Sequence, residues 1–585
     1  MRRARISLLL IVALIATIPS AARAQVPGAC VDTPRPPASP VSQAQEASFG
    51  LHDEELVICS PGWEGGGVHL AARLFVPAGC PGVGGCAGVV IAHGFGFSKE
   101  ITLPDMYAAA QAGLYVLSYD VRGQGASGGQ AAFLGRDDIA DQAAILRWWH
   151  EQVRPTKTAV YGISQGGWLA WTAGVFNCGA GRSARFDSSV PCDAGGRWVD
   201  AIVPVQSPMG YLDDGTCSWF DAQVAVETRL NPSIVQGMAS CPTEGSRGRV
   251  PGILLDVAHR LGRIDVPVYA VTSFYDRVVP PRLVTNAYRT LHRRTLNRRD
   301  ALYGTDVRLT ISNDAHGDVG GNLAVVNDLI GWMRHHLAGG PPLRAAKVAI
   351  AQEWAEGAFR LERDWPVPGS RARSWYLARD AEGTLASRPS GEPDELRNLP
   401  TVSSAPDVPG VGFLVPSVQT TEVPGARLVF QTEPFARTAE VTGEPVATIF
   451  VSSSNADSAG KGQLNLGLAE IAPDGSVQEF SHARIGLADL GPKPRAVRVP
   501  LSIAGHRVDA GSRLMLTITS SDVTDAMPAP GVDPFFVHHD ARTPSRIAVP
   551  FAPIDRRPPA GEPPMGAAYT SDPIGAICAV FGLPC

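Results

Sequence analysis

Apolar and polar positions alternate over Glu55–Ile58 and again over Val68–Val76, the period of strands with one buried face. The pattern then becomes continuous. Gly88–Ala92, Tyr115–Tyr119, Thr158–Tyr161, Ala201–Val205, Val266–Asp276 and Val307–Ile311 are largely apolar runs of the kind that lie in a parallel sheet covered on both faces. Apolar residues at helical spacing separate them at Met106–Gln111, Asp138–Trp149, Trp168–Ala173 and about Asn322–Leu337. This alternation predicts a doubly wound, mostly parallel α/β sheet.

The rhythm lapses from Ser207 to Ile264, a stretch with Trp219, Phe220 and two cysteines that reads as an ordered cap inserted in the first domain. After Gly339-Gly340-Pro341-Pro342 the texture changes to short β-like segments, among them Leu428–Phe430, Val446–Val451, Leu464–Leu468, Val497–Leu501 and Arg513–Ile518. Their spacing predicts an all-β sandwich. The expected division is residues 1–24 as a leader, 25–345 as the α/β domain with its cap at about 207–264, and 346–585 as the β domain.

Composition agrees with two packed domains: 585 residues, 44% of them apolar, exceed a single ordinary core. A net charge of −5 and the lack of basic runs interleaved with aromatics argue against nucleic-acid binding. At the start, Arg2, Arg3 and Arg5 precede an apolar run from Ile6 to Ile18 and then Ala22-Arg23-Ala24, the pattern of an export signal cleaved after Ala24. That run is too short to span a membrane, and no later run approaches the roughly 18 apolar residues a spanning helix needs. The expectation is a secreted or periplasmic protein. Its ten cysteines are Cys30, Cys59, Cys80, Cys86, Cys178, Cys192, Cys217, Cys241, Cys578 and Cys585, an even number that suits disulfides. Sequence does not fix their connectivity; joining neighbours in chain order is the simplest scheme. No C-x-x-C or close cysteine/histidine pair suggests a metal, and no cofactor is expected.

The chemistry centres on Gly162-Ile163-Ser164-Gln165-Gly166, a G-x-S-x-G stretch between a strand and a helix. Such a turn holds a serine in a strained, exposed conformation, and glycines two residues away avoid a collision across it. A serine needs a base, and the base needs an acid to orient it. His316 and Asp276 each lie just past a strand, and the order Ser164, Asp276, His316 is that of α/β hydrolases. Asp265 and Asp314 are the alternative acids. The oxyanion hole would take the backbone N–H of Gln165 and one from His93-Gly94-Phe95-Gly96, that of Phe95, with His93 bracing the turn. Asp120 and Arg122 read as an ion pair beside the site, and His335 and His336 as solvated residues at a helix end.

The motifs HGFG, YDVRGQGASGG, GISQGG, TSFYDRVVPP and NDAHGD resemble those of the family of Xaa-Pro dipeptidyl-peptidases, cocaine esterase and α-amino-acid ester hydrolases. Trp365-Pro366 and Ser374–Leu377 resemble its inter-domain segment, and SSSNAD, IAPDGS and AGHRVDAGSRLMLTITSSD its C-terminal jelly roll. The resemblance implies an α/β hydrolase followed by a jelly-roll sandwich that packs against it and helps wall the pocket. One departure stands out. Where several members of that family place a tyrosine whose hydroxyl completes the oxyanion hole, this chain has Phe95. The expected activity is therefore a serine hydrolase acting on a small-molecule ester or a short peptide through an acyl-enzyme. Esters are expected over amides, with Xaa-Pro dipeptidyl-peptidase or amide acylase as alternatives and an inert surface- or carbohydrate-binding protein as a rival of another class. Acyl group, alcohol and oligomeric state are not legible.

Overall fold

The computed structural model describes residues 30, 32, 51–62, 67–177, 197–209, 257–317, 322–355, 357–379, 383–397, 425–454, 462–487, 490–520, 534–554, 563–567 and 569. The leader, most of the cap (residues 210–256) and six of the ten cysteines lie outside them.

Within these residues the first sheet has ten strands: β1 (Leu51–Ser60), β2 (Val68–Pro77), β3 (Gly88–Ala92), β4 (Tyr115–Tyr119), β5 (Thr158–Ile163), β6 (Ala201–Val205), β7 (Val268–Tyr275), β8 (Val307–Ala315), β9 (Val348–Ala351) and β10 (Phe359–Glu362). Their order is 1-2-4-3-5-6-7-8-9-10. From β4 across to β9 all neighbours pair in parallel, while β1, β2 and β10 join antiparallel. Among the described residues five α-helices cover the sheet: α1 (Leu103–Gln111), α2 (Arg136–Trp148), α3 (Gln165–Val175), α4 (Pro281–Thr295) and α5 (Leu323–Ala338).

Continuous apolar strands fit because both faces are buried, and successive residues feed opposite cores. Val90, Ala92 and Val160 pack with α2, α3 and α4, whereas Val89, Ile91 and Tyr161 pack with α1 and α5. The result is an α/β-hydrolase sheet with its chemistry at the C-terminal strand ends.

The second domain is a mostly antiparallel β assembly of thirteen strands among the described residues, between Arg371 and Ala552, with its own core around Phe430, Leu466 and Ile518. The domain boundary differs from the expected 345. β9 pairs with β8 and β10 with β9, so the first sheet continues to Glu362. The sandwich seats on the first domain at several points. The Gly505 backbone approaches the Phe274 ring of β7 so closely that a Cβ would lie 2.2 Å from it. Arg360 of β10 donates to Glu440 at 2.7 Å. His506 lies between Glu353, just past β9, at 2.6 Å and Glu470 at 2.7 Å, stacked on Phe480 with ring centroids 4.3 Å apart. Past the sandwich the chain returns: Gly566 N–H donates to Asp328 Oδ1 of α5 at 3.1 Å, Tyr569 Oη donates to the Ala108 carbonyl of α1 at 3.3 Å, and Arg334 stacks on the Tyr569 ring.

Candidate active site

Ser164 follows β5 and precedes α3, with φ 57° and ψ −117°. Few side chains tolerate this backbone, and it holds only because its surroundings are fixed. Ser164 N–H donates to the Val205 carbonyl at 2.9 Å, and its own carbonyl accepts from Trp168 N–H at 3.0 Å. The flanking glycines answer a close approach: a Cβ on Gly166 would sit 1.9 Å from the Ala92 carbonyl oxygen, and one on Gly162 2.2 Å from that of Gly166.

The structure brings three of the residues chosen from sequence into line. Ser164 Oγ lies 2.9 Å from His316 Nε2, and His316 Nδ1 lies 2.8 Å from Asp276 Oδ2. Asp276 is fully buried, and its Oδ1 accepts from the Val278 and Val279 N–H groups at 3.0 and 2.7 Å. A carboxylate only accepts, so Nδ1 carries the imidazole proton and Nε2 is left to accept from the serine hydroxyl. The alternative acids are engaged elsewhere: Asp265 lies 3.6 Å from Arg197, and Asp314 accepts from Asn322.

On the facing loop, His93 is fully buried and its Nε2 accepts from Val121 N–H at 3.0 Å, so Nδ1–H donates to the Gly94 carbonyl at 2.7 Å. Burial holds this imidazole below its usual pKa, in the neutral form that the arrangement needs. In a trans peptide the C=O and the following N–H point in opposite directions. Fixing the Gly94 carbonyl therefore turns the Phe95 N–H away from His93. Gly94 itself adjoins the nucleophile, with its Cβ position 3.3 Å from Ser164 Cβ. The Phe95 ring packs edge-on against Phe133. Gln165, as first residue of α3, has a backbone N–H outside the helix's internal bonding. The site thus offers a hydroxyl, a base with an oriented proton, and two peptide N–H groups on facing segments, the requirements of acyl transfer.

Gln206 had no motif to mark it. It directly follows β6 with φ 42°, donates to the Ala315 carbonyl at 2.8 Å and accepts from Gly317 N–H at 2.7 Å, and so holds the peptide groups on both sides of His316. Asp120 and Arg122 do not pair with each other. Asp120 accepts from Lys99 N–H at 2.6 Å and lies 3.2 Å from Lys99 Nζ, whereas Arg122 grips Asp141 of α2 with two bonds, so each charge is met by a partner outside the pair. His335 and His336 are half-buried rather than solvated: His335 contacts the Gly340 carbonyl at 2.9 Å and His336 lies 3.3 Å from Asp306. Cys30 bonds Cys59 and Cys80 bonds Cys86. The first of these bonds takes up both sulfurs beside His69, leaving that trio with no thiolate for a metal.

Two family models match the chain in succession. Residues 60–177 match the X-Pro dipeptidyl-peptidase (S15 family), and residues 341–548 match the X-Pro dipeptidyl-peptidase C-terminal non-catalytic domain. Among solved structures the fold is similar to that of an α-amino acid ester hydrolase, at 16% identity and TM-score 0.64 over 88% of this chain and 98% of that one. It is also similar to an aminopeptidase from the marine sediment archaeon Thaumarchaeota archaeon, at 16% identity and TM-score 0.62 over 89% and 99%. A CocE/NonD family hydrolase from Staphylococcus aureus matches at 12% identity and TM-score 0.61 over 88% and 99%. At such identities the likeness is one of fold. No curated protein sequence matches the chain.

Proposed function

The chain belongs to the X-Pro dipeptidyl-peptidase S15 family and carries that family's C-terminal domain, and on this premise we propose that it is an exported serine hydrolase that opens carboxylic esters through an acyl-enzyme on Ser164. The observation that carries the reading is the unbroken line of hydrogen bonds from Ser164 through His316 to Asp276. Ser164 Oγ attacks the carbonyl carbon as His316 Nε2 takes its proton, and Asp276 holds the imidazolium that results. The oxyanion forms between the Phe95 and Gln165 N–H groups. His316 returns the proton to the departing alcohol, then draws one from the water that attacks the acyl group and passes it to Ser164 Oγ as the acid leaves.

Esters are favoured because Phe95 offers no hydroxyl to the oxyanion, and amides, with poorer leaving groups, depend more on a complete set of donors. The S15 match favours a second reading, cleavage of Xaa-Pro amides. A panel of short-chain p-nitrophenyl esters and Xaa-Pro p-nitroanilides separates the two. The expected result is a higher kcat/KM on the esters, little loss when the amino group is acetylated, and no turnover by Ser164→Ala. An Xaa-Pro anilide cleaved as well as the best ester, with activity lost on acetylation, would replace the ester reading with the peptidase one. Export is supported by the leader pattern and by the disulfides, and intact mass of the secreted protein beginning at Gln25 is its test.

A further inference from the structure

Behind the two peptide groups offered to the oxyanion, three side chains run in a line. Gly96 N–H donates to Gln124 Oε1 at 2.7 Å, Gln124 Nε2 donates to Gln165 Oε1 at 2.9 Å, and Gln165 Nε2 donates to Asp138 Oδ2 at 3.3 Å. All three side chains are buried. The ends set the direction of the line. A backbone N–H only donates and Asp138 Oδ2, which also takes the Gly135 N–H, accepts, so each amide must turn oxygen toward Gly96 and nitrogen toward Asp138. Reversing either amide would set like groups face to face in a buried place.

What the line joins gives it its meaning. Gly96 follows Phe95, and Gln165 follows Ser164, so the line ties the segment carrying one oxyanion donor to the segment carrying the other. The Phe95 segment is short and rich in glycine, and Gly96 has φ 81°. Among the described residues its other hydrogen bonds, from His93 and from Phe97 N–H, both end on the Gly94 carbonyl and go to no residue of α3.

We propose that Gln124 is a positioning residue which, by accepting from Gly96 and donating to Gln165, sets the spacing of the Phe95 and Gln165 N–H groups. This rests on the acyl-enzyme reading of the same site. Spacing of that kind matters most when the carbonyl oxygen becomes an anion between the two donors, so it acts on kcat more than on KM. The acid at the end of the line is embedded in charge. Burial and then Asp141 raise the Asp138 carboxyl to about 7, against the Gly135 and Gln165 bonds and Arg122. Asp137 lies on the same helix, Tyr119 ends β4 nearby, and Glu54 belongs to β1, which packs on α2. The native line closes whether or not Asp138 holds a proton, since Oδ2 accepts in both states.

Two substitutions test this on a short-chain p-nitrophenyl ester, with Ser164→Ala alongside. Gln124→Leu removes both bonds and is expected to lower kcat roughly 10- to 100-fold with KM changed about twofold or less. Gln124→Glu keeps the acceptor for Gly96 but has no donor for Gln165 Oε1 unless the line gains one proton, on the new carboxyl or on Asp138. Its kcat is therefore expected to fall as pH rises, giving a bell where the native enzyme holds a plateau. A native kcat in Gln124→Leu, or a native pH profile in Gln124→Glu, overturns the proposal. Should Gln124→Leu fail to fold by circular dichroism, the pH profile of Gln124→Glu, which keeps size and polarity, decides. Activity retained by Ser164→Ala would remove the acyl-enzyme reading itself; activity lost there but native in both Gln124 variants removes only the role of Gln124.

Discussion

Asp276 Oδ1 takes two backbone N–H bonds and Oδ2 faces His316, so its substitution separates orientation from presence. His316→Ala is expected to lower kcat by about 10⁴-fold or more with the melting temperature almost unchanged, since members of a triad act as a unit. Asp276→Asn is expected to cost roughly 10³- to 10⁴-fold, because an amide nitrogen toward Nδ1 favours the wrong tautomer. Equal kcat in Asp276→Asn and the native enzyme would point to another acid. Gln206→Leu frees the peptides on either side of His316, and steady-state kinetics should show kcat reduced roughly 10- to 100-fold with a smaller change in KM. Ser164, Asp276 and His316 are legible in the sequence because each combines reactive chemistry with a place just beyond an apolar strand. Gln124, Gln206 and the side chain of Gln165 are not: an amide gains its role only from partners 27 to 111 residues away, which no local pattern displays.

The turn from β5 into α3 is tight enough to be tested as an element. Gly166→Ala puts a methyl 1.9 Å from the Ala92 carbonyl oxygen, backbone that cannot move without opening the β3–β5 pairing, and should destabilise by about 3 kcal/mol or more. Urea unfolding measures it; stability within about 0.5 kcal/mol of native would mean that the turn has slack. Most elements follow from periodicity, since long apolar strands and amphipathic helices announce themselves. Helix α4 lies outside that reading, although Pro281 at its start and Val284, Ala287, Tyr288 and Leu291 at spacings of three and four are a usable signal. β9 and β10 are harder. Each has four residues and follows the glycine- and proline-rich stretch that reads as a domain boundary, and only the register with β8 assigns them to the first sheet.

At the scale of the whole molecule, His506 joins the domains by an electrostatic clamp. Its burial would lower the imidazole pKa, but the bonds to Glu353 and Glu470 outweigh that and push it up to about 9. The ordinary value is about 6.5. Because the folded pKa is the higher one, the clamp's contribution is fully present below about 6.5 and is lost as pH rises through about 9; it amounts to a few kcal/mol. Melting curves of native protein and His506→Gln should therefore differ most near pH 6 and converge toward pH 10, and a gap independent of pH would refute the clamp. The returning segment at residues 563–567 and 569 bears on how such proteins can be recombined. It lies on α1 and α5, so the sandwich is bracketed on both sides by chain that belongs to the first domain. A single crossover near residue 363 would deliver a foreign segment to the seat made by Asp328, Arg334 and Ala108. Inheritance of the sandwich as a free module thus needs two joints, or a seat and segment that evolve together.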